Sequence, residues 1–140
     1  MSRFNERMEA LIKRSEYKRA LDKQLVEYLI SLDELLDDDG YPTDDALTIV
    51  EKWPWEDAKG WFDFINGIWA MKSYGWAEGE APHDYRLGET VYKYDISTAG
   101  WSGNESIIRA MEQNDMLWHT TWVQSRRGGH YIFELSDQTS

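Results

Sequence analysis

The chain has 140 residues, 41% of them apolar, a formal net charge of −11 and no cysteine. That length fits one domain with one core, and the missing thiol removes cysteine catalysis, disulfide staples and cysteine-ligated zinc or iron–sulfur centres. A net charge of this sign and size disfavours direct binding to nucleic acid or to anionic lipid.

Divided along the chain, the charge is uneven. Residues 1–23 hold seven Lys or Arg against four acids, residues 24–84 three against fifteen, and residues 85–140 five against seven. The negative field therefore originates in the middle, where a cationic partner would be attracted. No stretch reaches the ~20 apolar residues of a membrane span, and the first residues lack the apolar run of a signal peptide. A cytoplasmic protein is the expectation.

From Phe4 to Leu36 there is neither Gly nor Pro, and good helix formers predict a helix, either continuous or broken near Ser15. Leu21, Leu25, Tyr28, Leu32 and Leu35 recur at intervals of four and three, a seam that packs on the protein's own core or, as the alternative, on a second copy. Asp37-Asp38-Asp39-Gly40 ends this helix, with Gly40 as the left-handed stop. Thr43 caps the next one, and Asp44 and Asp45 sit in its first turn, where carboxylates face the positive end of the helix dipole. It stops near Trp53-Pro54-Trp55. A third helix is predicted from about Glu56 to Tyr74, apolar nearly all round and hence central. Gly60 and Gly67 on one side of it suggest close approach of another element.

Residues 75–90 read as a loop, since Gly75, Gly79, Pro82 and Gly88 fall within them. Then the period changes to two. Strands are predicted around Val91–Ile96, Leu117–Val123 and His130–Leu135, with Ser125–Gly129 as a hairpin turn. Ser102 and Glu105 match the S-x-x-E capping box of a helix between the first two strands, and Trp118 and Trp122 are placed beneath its Ile107–Met111 face. Trp61 and Trp69 read as core, whereas Trp53, Trp55, Trp76 and Trp101 lie near element ends, where contacts are exposed. The predicted fold is α+β: N-terminal helices over residues 1–75, packed with a three-stranded antiparallel sheet carrying one helix over 85–136, in one domain with a shared core.

Motifs of familiar chemistry are missing. Placing Gly40 at position six of a calcium loop puts Leu35 and Ala46 at the ligand positions one and twelve, so that reading fails. The nucleophile elbow G-x-S-x-G would require Gly where the chain has Asn104. His83, His119 and His130 have no metal-binding spacing, and no phosphate-binding glycine loop occurs. No catalytic residue, metal or cofactor is predicted. Two surfaces remain. The first is acidic: Asp33, Glu34, Asp37, Asp38, Asp39, Asp44, Asp45, Glu51, Glu56 and Asp57, presented to a basic protein. The second is a polar pocket of Trp101, Ser102, Asn104, Arg126, Arg127 and His130, formed if the loops leaving neighbouring strands meet at one sheet end.

The stretch DISTAGWSGNESIIRAM followed by WHTTWVQSRRGGHYIFEL resembles a segment of small bacteriophage- and prophage-encoded proteins, with a weaker echo in GYPTDDALTIVEKWPW. The resemblance covers roughly residues 90–136 and implies an origin, with no activity and no catalytic residue attached. A small acidic protein of that origin is expected to bind, and to inhibit, a host protein that itself binds nucleic acid or serves in defence. A small-molecule or nucleotide-binding protein using the 100–104 and 125–130 loops, or a homo-oligomer built through residues 21–35, are the alternatives.

Overall fold

A computed structural model describes residues 2–31, 34–83 and 88–135. The fold is α+β. Helix α1 (Ser2–Ser31), α2 (Asp44–Lys52), α3 (Ala58–Ile68) and the short α4 (Lys72–Gly75) precede strands β1 (Trp76–Pro82) and β2 (Thr90–Ser97). Then come α5 (Ser102–Gln113), α6 (Asp115–Thr121), β3 (Trp122–Arg126) and β4 (His130–Leu135). The four strands form an antiparallel sheet in the order β1-β2-β4-β3.

Alternation along the two central strands makes the core face. Tyr92, Tyr94 and Ile96 stand opposite Leu135, Phe133 and Tyr131, and because strand side chains alternate, all six share one side. Helix α3 lays Phe62 flat on Tyr94, with ring centroids 4.1 Å apart, while α5 contributes Ile107, Ile108 and Met111 to the same buried cluster. Trp61 is wholly buried, and its indole N–H donates to the Val50 carbonyl at 2.9 Å, tying α3 to the end of α2. Removing such aromatics from water supplies much of the driving force for folding.

Several expectations change. The segment 76–82 is an edge strand in register with β2 from Trp76↔Ile96 to Pro82↔Thr90, so the sheet has four strands where three are predicted. Its Gly and Pro residues suit an edge, where one row of backbone groups needs no partner. Residues 115–121 are helical although Trp118, Thr120 and Trp122 alternate. Leu117 and Thr121, both buried and four apart, are the pair that decides it. Asn114 caps that helix by accepting from the Leu117 N–H at 3.4 Å, and its amide donates to the Val50 and Trp53 carbonyls at 3.1 Å each. The Thr120 and Thr121 hydroxyls bond back to the Met116 and Leu117 carbonyls. Trp118 accordingly lies against Phe133 and Tyr131, stacked on Trp122, which is exposed.

The third helix ends at Ile68, earlier than the predicted Tyr74, and Met71 takes a left-handed φ of 58° before the short α4. Gly75 is needed there: a Cβ would lie 2.4 Å from the Ser97 carbonyl oxygen. Gly67 meets nothing within 4 Å, and at Gly60 a Cβ would strike the Asp57 carboxylate that caps the same helix. Neither marks the approach of another element. The S-x-x-E capping box is not formed either. Ser102 is the first helical residue, Trp101 occupies the cap position, and no side chain caps the helix.

Helix α1 is continuous through Ser15 and ends at Ser31, short of the predicted Leu36. Among its described side chains, Val26 and Leu29 are buried and pack with Ile49 of α2. Of the predicted seam, Leu21, Leu25 and Tyr28 are exposed, Leu35 is half-buried against the core, and Leu32 lies outside the described residues. With 3.6 residues per turn each step turns the side chain by about 100°, and Val26 and Leu29, one step on from Leu25 and Tyr28, are the residues that face α2.

Candidate functional site

The connection between α1 and α2 is acidic and tightly built. From Gln24 to Val50 the sequence contains no Lys or Arg. Leu36 and Pro42 form an isolated antiparallel bridge. The Asp37 carboxylate accepts from the Asp39 and Tyr41 backbone N–H groups at 2.9 Å each, and Gly40 turns the chain with φ +85°. Thr43 closes the loop twice. Its hydroxyl donates to the Glu34 carbonyl and accepts from the Ala46 N–H at the start of α2. Finally Tyr41 lies on Trp101, centroids 4.7 Å apart.

This frame divides the predicted acidic residues into two groups. Glu34, Asp37, Asp38, Asp39 and Asp44 are exposed and Asp45 half-buried, and among the described residues none of the six forms an ion pair. Asp37 spends part of its carboxylate on the turn; Glu34, Asp38 and Asp39 are exposed, and among the described residues their carboxylates have no hydrogen-bond partner. Two of the others have partners. Glu56 lies 3.6 Å from Arg19, Asp57 caps α3 by accepting from the Gly60 N–H at 3.0 Å, and Glu51 is half-buried. Asp33 lies outside the described residues. Glu56 and Asp57 are exposed as well, and the densest run of acids lies in residues 34–45.

The two loops of the predicted pocket do meet at one sheet end. The Thr98 N–H donates to the Gly129 carbonyl at 3.0 Å, and Ser97 pairs with His130. Their polar groups are nevertheless largely occupied. Asn104 is wholly buried: its side-chain oxygen accepts from the Ala70 N–H at 2.9 Å, and its amide donates to the Ala70 and Thr98 carbonyls at 3.0 and 3.3 Å. It is a clamp between the α3–α4 and β2–α5 connections and cannot turn to a ligand. The Trp101 ring folds over Gly103, where a Cβ would lie 2.2 Å from it, and covers the start of α5. Ser102, Arg126, Arg127 and His130 are exposed, and the Arg126 guanidinium reaches the Gln124 side-chain oxygen once that amide is oriented to accept.

Two clusters have no counterpart in the sequence reading. A groove of about 480 Å³ runs between the middle of α1, the 51–56 segment and the α5–α6 junction, walled by Trp53, Trp55 and Met116. Arg19 reaches over it to Glu56 and sits 6.0 Å from the Trp55 ring. Its described lining mixes both signs of charge. Three separate chain segments build it, which is why no local pattern signals it.

The second cluster surrounds Lys59. Its Nζ lies 2.9 Å from Asp63, 3.8 Å from Glu78 and 4.6 Å from the Tyr92 ring centroid. The Tyr92 hydroxyl and the Trp76 indole N–H both donate to Glu78. Burial pulls the Lys59 ammonium down, but the hydrogen bond to Asp63 and the neighbouring Tyr94 outweigh it and hold the group above the ordinary lysine range. The Glu78 hydrogen bond raises Tyr92, and burial raises Tyr94. Every charge here is met from within, so the network ties edge strand β1 to α3.

Among the described residues no three His, Asp or Glu gather as a metal site, and no helix is long and apolar enough to cross a membrane. No protein family, curated protein or solved structure gives a match to the chain.

Proposed function

We propose that this protein is a non-enzymatic interaction module whose acidic loop, residues 34–45, docks on a cationic surface of another protein. The observation that carries the reading is six carboxylates without a described ion pair, five of them exposed, on a loop held by its own turn and cap hydrogen bonds. A preformed loop loses little conformational freedom on binding, and fields of this kind speed association with a partner of opposite sign. Partners whose own sites accept phosphate backbones are the natural class, because rows of carboxylates present a similar charge. The resemblance to phage proteins favours a host protein as the target and its inhibition as the outcome.

The test uses Glu34→Gln, Asp38→Asn and Asp39→Asn together, three exposed side chains whose carboxylates make no hydrogen bond among the described residues. Wild-type protein immobilised in bacterial lysate is expected to retain a basic protein at low salt and to release it at high salt, and the triple variant to retain none. Retention that is indifferent to salt, or equal in the variant, overturns the proposal.

A further inference from the structure

Seven exposed residues of α1, Arg7, Ala10, Arg14, Lys18, Leu21, Leu25 and Tyr28, follow one another at intervals of three and four. That spacing places them along one face of the helix. It is not the face that packs on α2, which carries Val26 and Leu29. The exposed face changes character halfway. Its first half is cationic, and its second half is apolar, with Leu21, Leu25 and Tyr28 at 46%, 38% and 61% exposure. Directly beyond the apolar half the chain enters the acidic loop. Among the described residues Arg7, Arg14 and Lys18 form no ion pair, so the molecule carries a cationic arm and an anionic loop at opposite ends of one apolar stripe.

We infer that this face binds a second copy of the same chain, α1 against α1 and antiparallel. The polarity follows from charge. A parallel pair would set arginine beside arginine and acidic loop beside acidic loop. An antiparallel pair centred near Leu25 sets Leu21 against Tyr28 of the other copy, and Leu25 against itself. Arg14 then lies eleven residues before the centre, roughly 16 Å along the helix, and the helix ends at Ser31, six residues past the centre, so each cationic arm extends toward the other copy's acidic loop. The arrangement is self-complementary, as a two-fold interface has to be. Leu21, Leu25 and Tyr28 alone fall short of the roughly 1,200 Å² that a stable interface buries, so the arms and loops have to take part.

The pairing uses the same loop as the proposed partner-binding surface but does not rest on that reading. An outside cationic protein would have to displace the arm of the second copy, so self-association would oppose capture.

Light scattering on the wild-type chain at micromolar concentration is expected to give twice the 16.5 kDa chain mass. Leu25→Glu with Tyr28→Glu, both at exposed positions and checked for folding by circular dichroism, is expected to give one chain mass. Arg7→Glu with Arg14→Glu, and separately Asp38→Arg with Asp39→Arg, are each expected to weaken self-association at least about tenfold. Mixed together, these two charge-reversed chains are expected to form a heterodimer detectable by native mass spectrometry. A wild-type chain that stays at single mass, a dimer untouched by the Leu25 and Tyr28 changes, or charge-reversed chains that fail to combine would each overturn the inference. The Arg7 and Arg14 variant separates the two proposals, because it leaves the acidic loop intact: it keeps lysate capture whether or not the chain dimerises.

Discussion

Replacing Asn104 tests whether the sheet-end loops form a scaffold or a ligand site. In Asn104→Ala the Ala70 N–H and carbonyl and the Thr98 carbonyl lose their partner at once. Thr98 is buried and Ala70 half-buried, so water can repair only part of the loss. An abandoned buried polar group costs about 1–3 kcal/mol, and with partial rehydration at Ala70 the sum is about 2–4 kcal/mol. Against a total stability of about 5–15 kcal/mol that is a large share. Asn104→Asp sharpens the test. The carboxylate still accepts from the Ala70 N–H but faces two carbonyls with no donor, and burial lifts its folded-state pKa above the unfolded one. A raised folded pKa means the penalty grows as pH rises, so this variant gains stability relative to wild type as pH falls toward the ordinary carboxylate range. Urea unfolding at several pH values, with an unchanged denaturant slope, reads both effects. An alanine variant within about 0.5 kcal/mol of wild type would refute the clamp.

Other substitutions probe different parts of the fold. Gly75→Ala forces a Cβ to 2.4 Å from the Ser97 carbonyl oxygen and is expected to lower the urea midpoint, costing about 1–3 kcal/mol; Gly67→Ala, which meets nothing, is expected to raise it by about 0.5–1 kcal/mol. Thr43→Ala removes the α2 cap and the tie to Glu34, so about 1–2 kcal/mol of stability is lost and salt-sensitive partner capture weakens with it. Lys59, Tyr92, Tyr94 and Tyr131 all hold their protons above the ordinary values of 10.5 and 10.0. With folded values raised, their contribution is complete below about pH 10 and falls away as pH climbs through the folded values. Absorbance titration of the native protein is expected to show a late-ionising set among its eight tyrosines; a single ionisation of all eight at the ordinary value would contradict the burial of Tyr94.

The elements read correctly from sequence are those whose signal is local. Thr43 followed by Asp44 and Asp45 marks the start of α2 because capping and dipole terms act within one turn, and Gly128 and Gly129, with φ of +86° and +78°, make the hairpin turn for the same reason. The elements misread are those that distant partners decide. Trp76–Pro82 looks like a loop until β2 offers it a ladder, and Trp118-x-Thr120-x-Trp122 looks like a strand until Asn114 anchors its start to the end of α2. Site residues follow the same division. That Glu34, Asp38 and Asp39 stand outside was legible from charge density, whereas the burial of Asn104 depends on Ala70, 34 positions away. The apolar spacing Leu21, Leu25, Tyr28 was visible; which of its neighbours faced α2 was not.

The strand order has a bearing on how the chain is made. β4 leaves the ribosome after both β2 and β3, yet it lies between them. Until residues 130–135 emerge, β2 has one bare edge, and the aromatic faces of Phe62 and Tyr94 lack the Phe133 ring that later lies beside them. Nascent chains stalled before that point expose sticky sheet edge and apolar surface together, the condition in which molecular chaperones bind and in which chains clump. Productive folding of this domain is therefore an event that follows translation of β4, and stalling at successive codons would show protease resistance arriving in a single step once residues 130–135 emerge.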